Sequence, residues 1–323
     1  MDSLGLPSGA GRRDAFIRLA ASAGLYLILF YLSLFLHRLP GADAAMRRPL
    51  VFVPTVLISV AAFMFAQLLL VRRAAELQLR ASVLALGTAA CLALWMVIPL
   101  TSKVIQPDIA MLAFIPWRNM MMILAATFFG CLVSFAIREP GILAPGAVVA
   151  AMVDYWGVYY GTTLRAVQTA PEVVQKVSVK VPAFGVMGPI ATIGPGDFVF
   201  LGLFFAAMYR LKLKVPQTFW ALLALLAPCL VAVLAFRLSI PALVPMAVAV
   251  LLVNRGRFGL TRSEKAASAL VVALVAALLF LMTTAGPFAR DRFAPVTQRE
   301  RKEPQSRRTP PPARGRTSTG TRP

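Results

Sequence analysis

The sequence predicts an all-α polytopic membrane protein of about nine transmembrane helices. Three observations carry that expectation. Hydrophobic residues make up 59% of the 323 and charged residues only 14%, whereas soluble domains run at about 45–50% apolar and about 25% charged. The apolar residues fall in runs of about 20, the length that crosses a bilayer as a helix. Between the runs stand Pro, Gly and charge, as in Arg47-Arg48-Pro49, Arg138-Glu139-Pro140-Gly141 and Arg255-Gly256-Arg257. These are stop signals at bilayer edges.

In order, apolar segments 16–36, 50–71, 82–100 and 119–137 make an N-terminal region of about four helices, residues 1–140. Segments 143–163, 194–211, 217–237 and 240–254 make a second region, residues 141–254. A basic loop and the last segment, 266–284, occupy 255–285. The first segment follows Arg12-Arg13 and precedes Ala42-Asp43-Ala44, so it reads either as a retained helix or as a cleaved signal peptide. Its unbroken run from Leu19 to Leu36 exceeds an ordinary signal core and favours the retained helix.

Two stretches are not helix-like. Residues 171–193 contain Pro171, Pro182, Gly185, Gly188 and Pro189, and within them Val177, Val179 and Val181 alternate with Ser178 and Lys180. That alternation is the period of a strand. Residues 286–323 are rich in Arg, Pro, Thr and Ser. Such a tail cannot bury enough apolar surface to fold and is expected to be disordered.

The net charge of +20 does not point to nucleic acid, because the basic residues sit in short loops and in the tail, with no basic stripe interleaved with aromatics. Basic loops serve membrane topology instead. Arg72, Arg73, Arg80, Arg210, Lys212, Lys214, Arg255 and Arg257 fall in the same set of loops, which favours a cytoplasmic N-terminus. The three cysteines, Cys91, Cys131 and Cys229, all lie within apolar runs and argue against a disulfide framework. One histidine, His37, and no Cys/His cluster leave no expected metal site and no expected cofactor.

The residues that ask for a chemical reason are Asp154 and Asp197. A carboxylate inside a membrane helix costs several kcal/mol, by order of magnitude. Both lie on consecutive apolar segments, and neither has a nearby intrahelical Lys or Arg to pair with. The economical partner for each is the other. Two carboxyls held close titrate as a coupled pair. One then serves as a base toward water while the other polarises a carbonyl, which is the division of labour that peptide hydrolysis needs. Gly194 and Gly196 remove side chains beside Asp197, so a peptide backbone can approach. Pro195 disfavours helix before it, so a helix should begin near the aspartate. The segment after next opens with Pro241-Ala242-Leu243, an ordinary helix start on its own.

Taken together, Asp154, Gly194-Pro195-Gly196-Asp197 and Pro241-Ala242-Leu243 resemble the presenilin/signal peptide peptidase family of GxGD intramembrane aspartyl proteases, closest to the signal peptide peptidase-like branch. The match holds in order and in helix spacing and covers about 148–254. Phe198 to Arg210 and Gly161-Thr162 are similar in texture as well. The family usually has Tyr before its first aspartate, whereas Val153 stands there and Tyr155 follows. Four segments precede the Asp154 helix where the family generally has five, and the segment 266–284 is extra.

The resemblance implies a presenilin-like catalytic core. It implies cleavage of single-span membrane helices or signal peptide remnants, with Asp154 and Asp197 catalytic and the lipid bilayer and transmembrane-helix substrates as partners. Tyr155, Pro241, Ala242 and Leu243 would shape the cleft. Val177, Val179 and Val181 would form a strand that pairs with unwound substrate by β-augmentation. An ordinary loop strand remains the other reading of those valines. A proton- or ion-coupled transporter also uses paired acids and broken helices, but it predicts an internal repeat that the two halves do not display. A prepilin-peptidase-like enzyme shares Gly-x-Gly-Asp, yet Asp154 and Pro-Ala-Leu suit it less well. The Ala- and Arg-rich, His- and Lys-poor composition points to a bacterial plasma membrane.

Overall fold

The computed structural model describes residues 9–40, 46, 48–102, 107–160, 170–186, 188–236, 240–259 and 262–284. The basic tail 286–323 and Gly161-Thr162 lie outside the described residues. In chain order the helices are α1 (Gly9–His37), α2 (Pro49–Glu76), α3 (Ala81–Ser102), α4 (Pro107–Val133), which runs into a 3-10 turn (Ser134–Ala136), and α5 (Pro140–Tyr159). Then come α6 (Pro171–Val177), strands β1 (Val179–Pro182) and β2 (Pro189–Ile193), and α7 (Pro195–Arg210), α8 (Val215–Phe236), α9 (Leu243–Asn254) and α10 (Arg262–Thr284).

Every apolar segment read from the sequence is helical apart from residues at its ends. Of these helices α1, α2, α3, α4, α5 and α8 are each long and apolar enough to cross a membrane, and the protein is an integral membrane protein. Helices α7 and α9 are shorter, at 16 and 12 residues.

The 171–193 stretch departs from expectation at its start. Pro171 occupies the first turn of α6, where a missing N–H costs nothing, so the proline begins a helix rather than excluding one. Val177 therefore closes α6 and is not part of the strand. The strand period holds only from Val179 onward. β1 pairs antiparallel with β2, with Val179 opposite Ile193 and Val181 opposite Ala191.

The hairpin is held from the β1 side by polar side chains of two long helices. Asn119 Nδ2 of α4 donates to Lys180 O at 3.0 Å, and Ser59 Oγ of α2 accepts from Phe184 N at 2.9 Å. Arg118 Nη2 donates to Lys176 O at 2.8 Å. Val179 and Val181 are fully buried.

The chain divides into two compact units, Met1–Ala276 and Ala277–Pro323. In the second, the described residues are the final turns of α10. The first holds one hydrophobic core to which helices on both sides of position 140 contribute, including Phe63 and Leu68 of α2, Ile123 of α4, and Phe198, Phe204 and Phe205 of α7. α7 packs against α4 and α2, while α5 packs against α9.

Two glycines explain how closely α7 is seated. A Cβ on Gly130 of α4 would fall 2.0 Å from Val199 O, and one on Gly202 of α7 would fall 2.6 Å from Thr127 O. Small residues let membrane helices approach to backbone contact, and Cys131 Sγ uses that proximity to donate to Gly202 O at 3.7 Å. The far end of α7 is pinned as well. Arg210 donates to Ile137 O at 2.6 Å and to Ser134 O; Ser134 O also accepts from the N–H of Ile137 in the 3-10 turn that follows α4.

Candidate active site

α7 begins at Pro195 with Gly194 as its N-cap, so Asp197 stands in the first helical turn. This is the break that the proline predicts. The backbone N–H of Asp197 donates to Gly194 O at 3.2 Å. Gly194 has an ordinary negative φ of −67°, and a Cβ placed on it would lie 3.8 Å from Asp197 Oδ2, a normal contact. A Cβ on Gly196 would meet nothing within 4 Å. Neither the backbone nor the packing of the described residues therefore requires glycine at these two positions, in contrast to Gly130 and Gly202. Their lack of side chains keeps space open beside Asp197.

Asp197 lines a cavity of about 160 Å³ together with Gln67 and Met64 of α2, Thr192 and Ile193 of β2, Cys229 of α8, and Ala242 and Pro245. One water needs about 10–15 Å³ of such space, so water fits beside the carboxyl. Most of the remaining lining is aliphatic.

Asp154 of α5 is tied to the start of α9, next to this cavity. Its Oδ2 accepts a hydrogen bond from the backbone N–H of Leu243 at 3.0 Å. Leu243 is the first residue of α9, and the first N–H groups of a helix have no partner within it. Asp154 supplies one from another helix. The next residue back, Ala242, lines the Asp197 cavity. Pro241 is buried. The Pro-Ala-Leu turn thus links the two acids: Ala242 lines the cavity of Asp197, and Leu243 donates to Asp154.

The depth of the three elements agrees. At about 1.5 Å per residue, Asp197 stands about 20 Å along α7 from Arg210. Asp154 stands about 21 Å along α5 from Pro140, and Leu243 about 17 Å along α9 from Asn254. Basic residues mark those far ends: Arg72 Nε donates to Tyr209 Oη at 3.2 Å, and Lys214 N donates to Asn254 Oδ1 at 2.9 Å.

Other residues expected in the cleft lie elsewhere. Tyr155 is half exposed and stacks on Tyr159 at 4.8 Å between ring centroids; it is not among the residues around the cavity. Val179 and Val181 point into the core, and Val177 is helical. It is β2, running directly into Gly194, that contributes Thr192 and Ile193 to the cavity. Each strand of this two-stranded sheet has an outer edge with no strand beside it. Asn119 occupies Lys180 O on that of β1. Among the described residues no such side-chain bond is made to β2, which leaves β2 the more open edge. Gln67 and Cys229 also enter the site. The only hint of either in the sequence is a polar residue standing alone in an apolar run.

No family model, curated protein or solved structure matches the chain.

Proposed function

We propose that this protein is an intramembrane aspartyl protease that hydrolyses peptide bonds within transmembrane helices or signal peptide remnants, with Asp154 and Asp197 as its dyad. The observation that carries the reading is the Leu243–Asp154 hydrogen bond beside the Asp197 cavity. It supports the reading because it ties Asp154 to the Pro-Ala-Leu turn, whose Ala242 borders the space beside Asp197.

In this mechanism one carboxylate takes a proton from water as the oxygen attacks the scissile carbonyl. The other, protonated, donates a hydrogen bond to the carbonyl oxygen. The proton gained by the first carboxyl then passes to the departing amine as the C–N bond breaks. The substrate helix must unwind first, because a helical backbone has its carbonyls committed. An unwound chain in lipid needs new hydrogen-bond partners, and the open edge of β2 offers them by strand addition. That strand leads straight to Gly194 and Asp197. Addition to β2 in place of β1 revises the expectation from the valines. Nine spanning helices, with α7, α9 and α10 completing the six long ones, and a bacterial plasma membrane with the basic helix ends in the cytoplasm belong to the same proposal.

The test is cleavage of a reporter transmembrane helix by the purified protein in detergent. Asp154→Ala and Asp197→Ala are each expected to abolish it. Full cleavage by either variant would overturn the proposal, and solute uptake driven by a proton gradient would replace it with a transporter.

A further inference from the structure

Gln67 sits on α2 with 1% of its surface exposed and forms part of the wall of the Asp197 cavity. Among the described residues neither its Nε2 nor its Oε1 has a hydrogen-bond partner. Its polar neighbours are already occupied or insufficient. Asn119 commits Nδ2 to Lys180 O. The Tyr26 hydroxyl of α1 approaches both Gln67 and Asn119 without closing a hydrogen bond. A small rotation of that single hydroxyl could satisfy one atom of the Gln67 amide, not both. A donor or an acceptor is left over, next to a cavity that also contains Asp197.

An unpaired amide at this depth is costly, and an apolar side chain of the same length would avoid the cost. The glutamine therefore needs a ligand that offers a donor and an acceptor together. An extended peptide is one: each residue of a strand turns its N–H and C=O to the same side. When such a chain adds to the open edge of β2, alternate residues present N–H and C=O away from β2, where they need partners within the cavity. Gln67, in the lining of the same cavity as Thr192 and Ile193, carries both a donor and an acceptor.

We propose that Gln67 binds the backbone of the extended substrate segment in the Asp197 cavity, Nε2 donating to a peptide carbonyl and Oε1 accepting from a peptide N–H. This inference rests on the protease reading and adds a backbone-binding group to the same cavity. Because it contacts backbone, the interaction is indifferent to substrate side chains. It is made equally in the ground state and the transition state, so its loss raises KM and leaves kcat.

The experiment compares the parent with Gln67→Met, which keeps length and removes both polar atoms. With a reporter transmembrane helix as substrate, KM is expected to rise at least fivefold, kcat to stay within twofold, and the thermal midpoint in detergent to stay level or rise. A parent-like KM overturns the inference. So does a variant that unfolds or loses stability, which would make the amide a structural tie among Tyr26, Gln67 and Asn119. Cleavage by the parent that is absent from Asp154→Ala keeps the protease reading standing whatever Gln67→Met does. No cleavage by the parent removes both.

Discussion

Leu243 donates its backbone N–H to Asp154 Oδ2 at 3.0 Å, so a candidate catalytic carboxylate is also the cap of a neighbouring helix. The two roles can be separated. Asp154→Asn keeps an oxygen to accept from Leu243 but cannot exchange a proton, whereas Asp154→Ala loses both. Each should lower cleavage by about 10²–10⁴-fold, the range for a lost acid–base group. Only the alanine variant leaves a buried N–H unpaired, which costs about 1–3 kcal/mol. Thermal unfolding in detergent should therefore rank Asp154→Asn above Asp154→Ala. Equal midpoints would mean that the cap contributes no stability.

Glycines of two kinds should respond in opposite ways. At Gly130 a methyl would sit 2.0 Å from Val199 O, a backbone atom that yields only if α4 and α7 separate. Gly130→Ala should cost about 3 kcal/mol, at the upper end of overpacking effects, and should lower the amount of folded protein recovered. At Gly196 a methyl meets nothing, so Gly196→Ala should leave stability within about 0.5 kcal/mol while cutting reporter cleavage about tenfold by obstructing the peptide. Unfolding midpoints and initial rates, measured on the same preparations, decide both. A Gly196→Ala variant of parent activity would remove the steric reason for that glycine.

These contrasts mark what was legible in the sequence. Helix positions were, because a run of about 20 apolar residues has few other fates, and so was the helix start at Asp197, because Pro195 acts locally. The short helix at Pro171–Val177 was not, since a proline reads as a breaker until its place in the first turn is known. The alternation of Val179 and Val181 marked a strand but not its free edge. That edge depends on Asn119, which lies in another helix and occupies Lys180 O. In the same way nothing near Gln67 along the chain announces Asp197. Contacts between distant segments settle such questions, and a period cannot carry them.

Arg210 joins the end of α7 to the carbonyls of Ser134 and Ile137 and lies 4.9 Å from the Phe135 ring centroid. Removing the guanidinium takes that donor from Ile137 O, while Ser134 O keeps the N–H of Ile137. Hydrogen bonds to a charged group are worth about 1.5–3 kcal/mol, and Arg210→Ala should lose a comparable amount of stability. Arg210→Lys, a point charge without the planar fork, should recover part of it. Since Arg210 stands about 20 Å along α7 from Asp197, KM for a reporter helix should not change in the protein that remains folded. An Arg210→Ala variant as stable as the parent would show that Ile137 O finds another partner.

Hydrolysis needs water at Asp197, and Cys229 offers a way to see whether water arrives. Its side chain lines the cavity with Asp197 and is part-exposed, while Cys91 and Cys131 are buried at 9% and 4% exposure. A small charged thiol reagent, a methanethiosulfonate for example, cannot react from lipid and must approach through water. It should modify Cys229 alone, as read by mass spectrometry, and block reporter cleavage by filling a cavity of only about 160 Å³. Cys229→Ala removes a small, weakly polar group. It should cleave at close to the parent rate and resist the reagent. Modification of Cys229 without inhibition would detach the cavity from catalysis. No modification of the folded parent would mean that water does not reach Asp197 by this route, and the dyad could not then be supplied through the space its own helix opens.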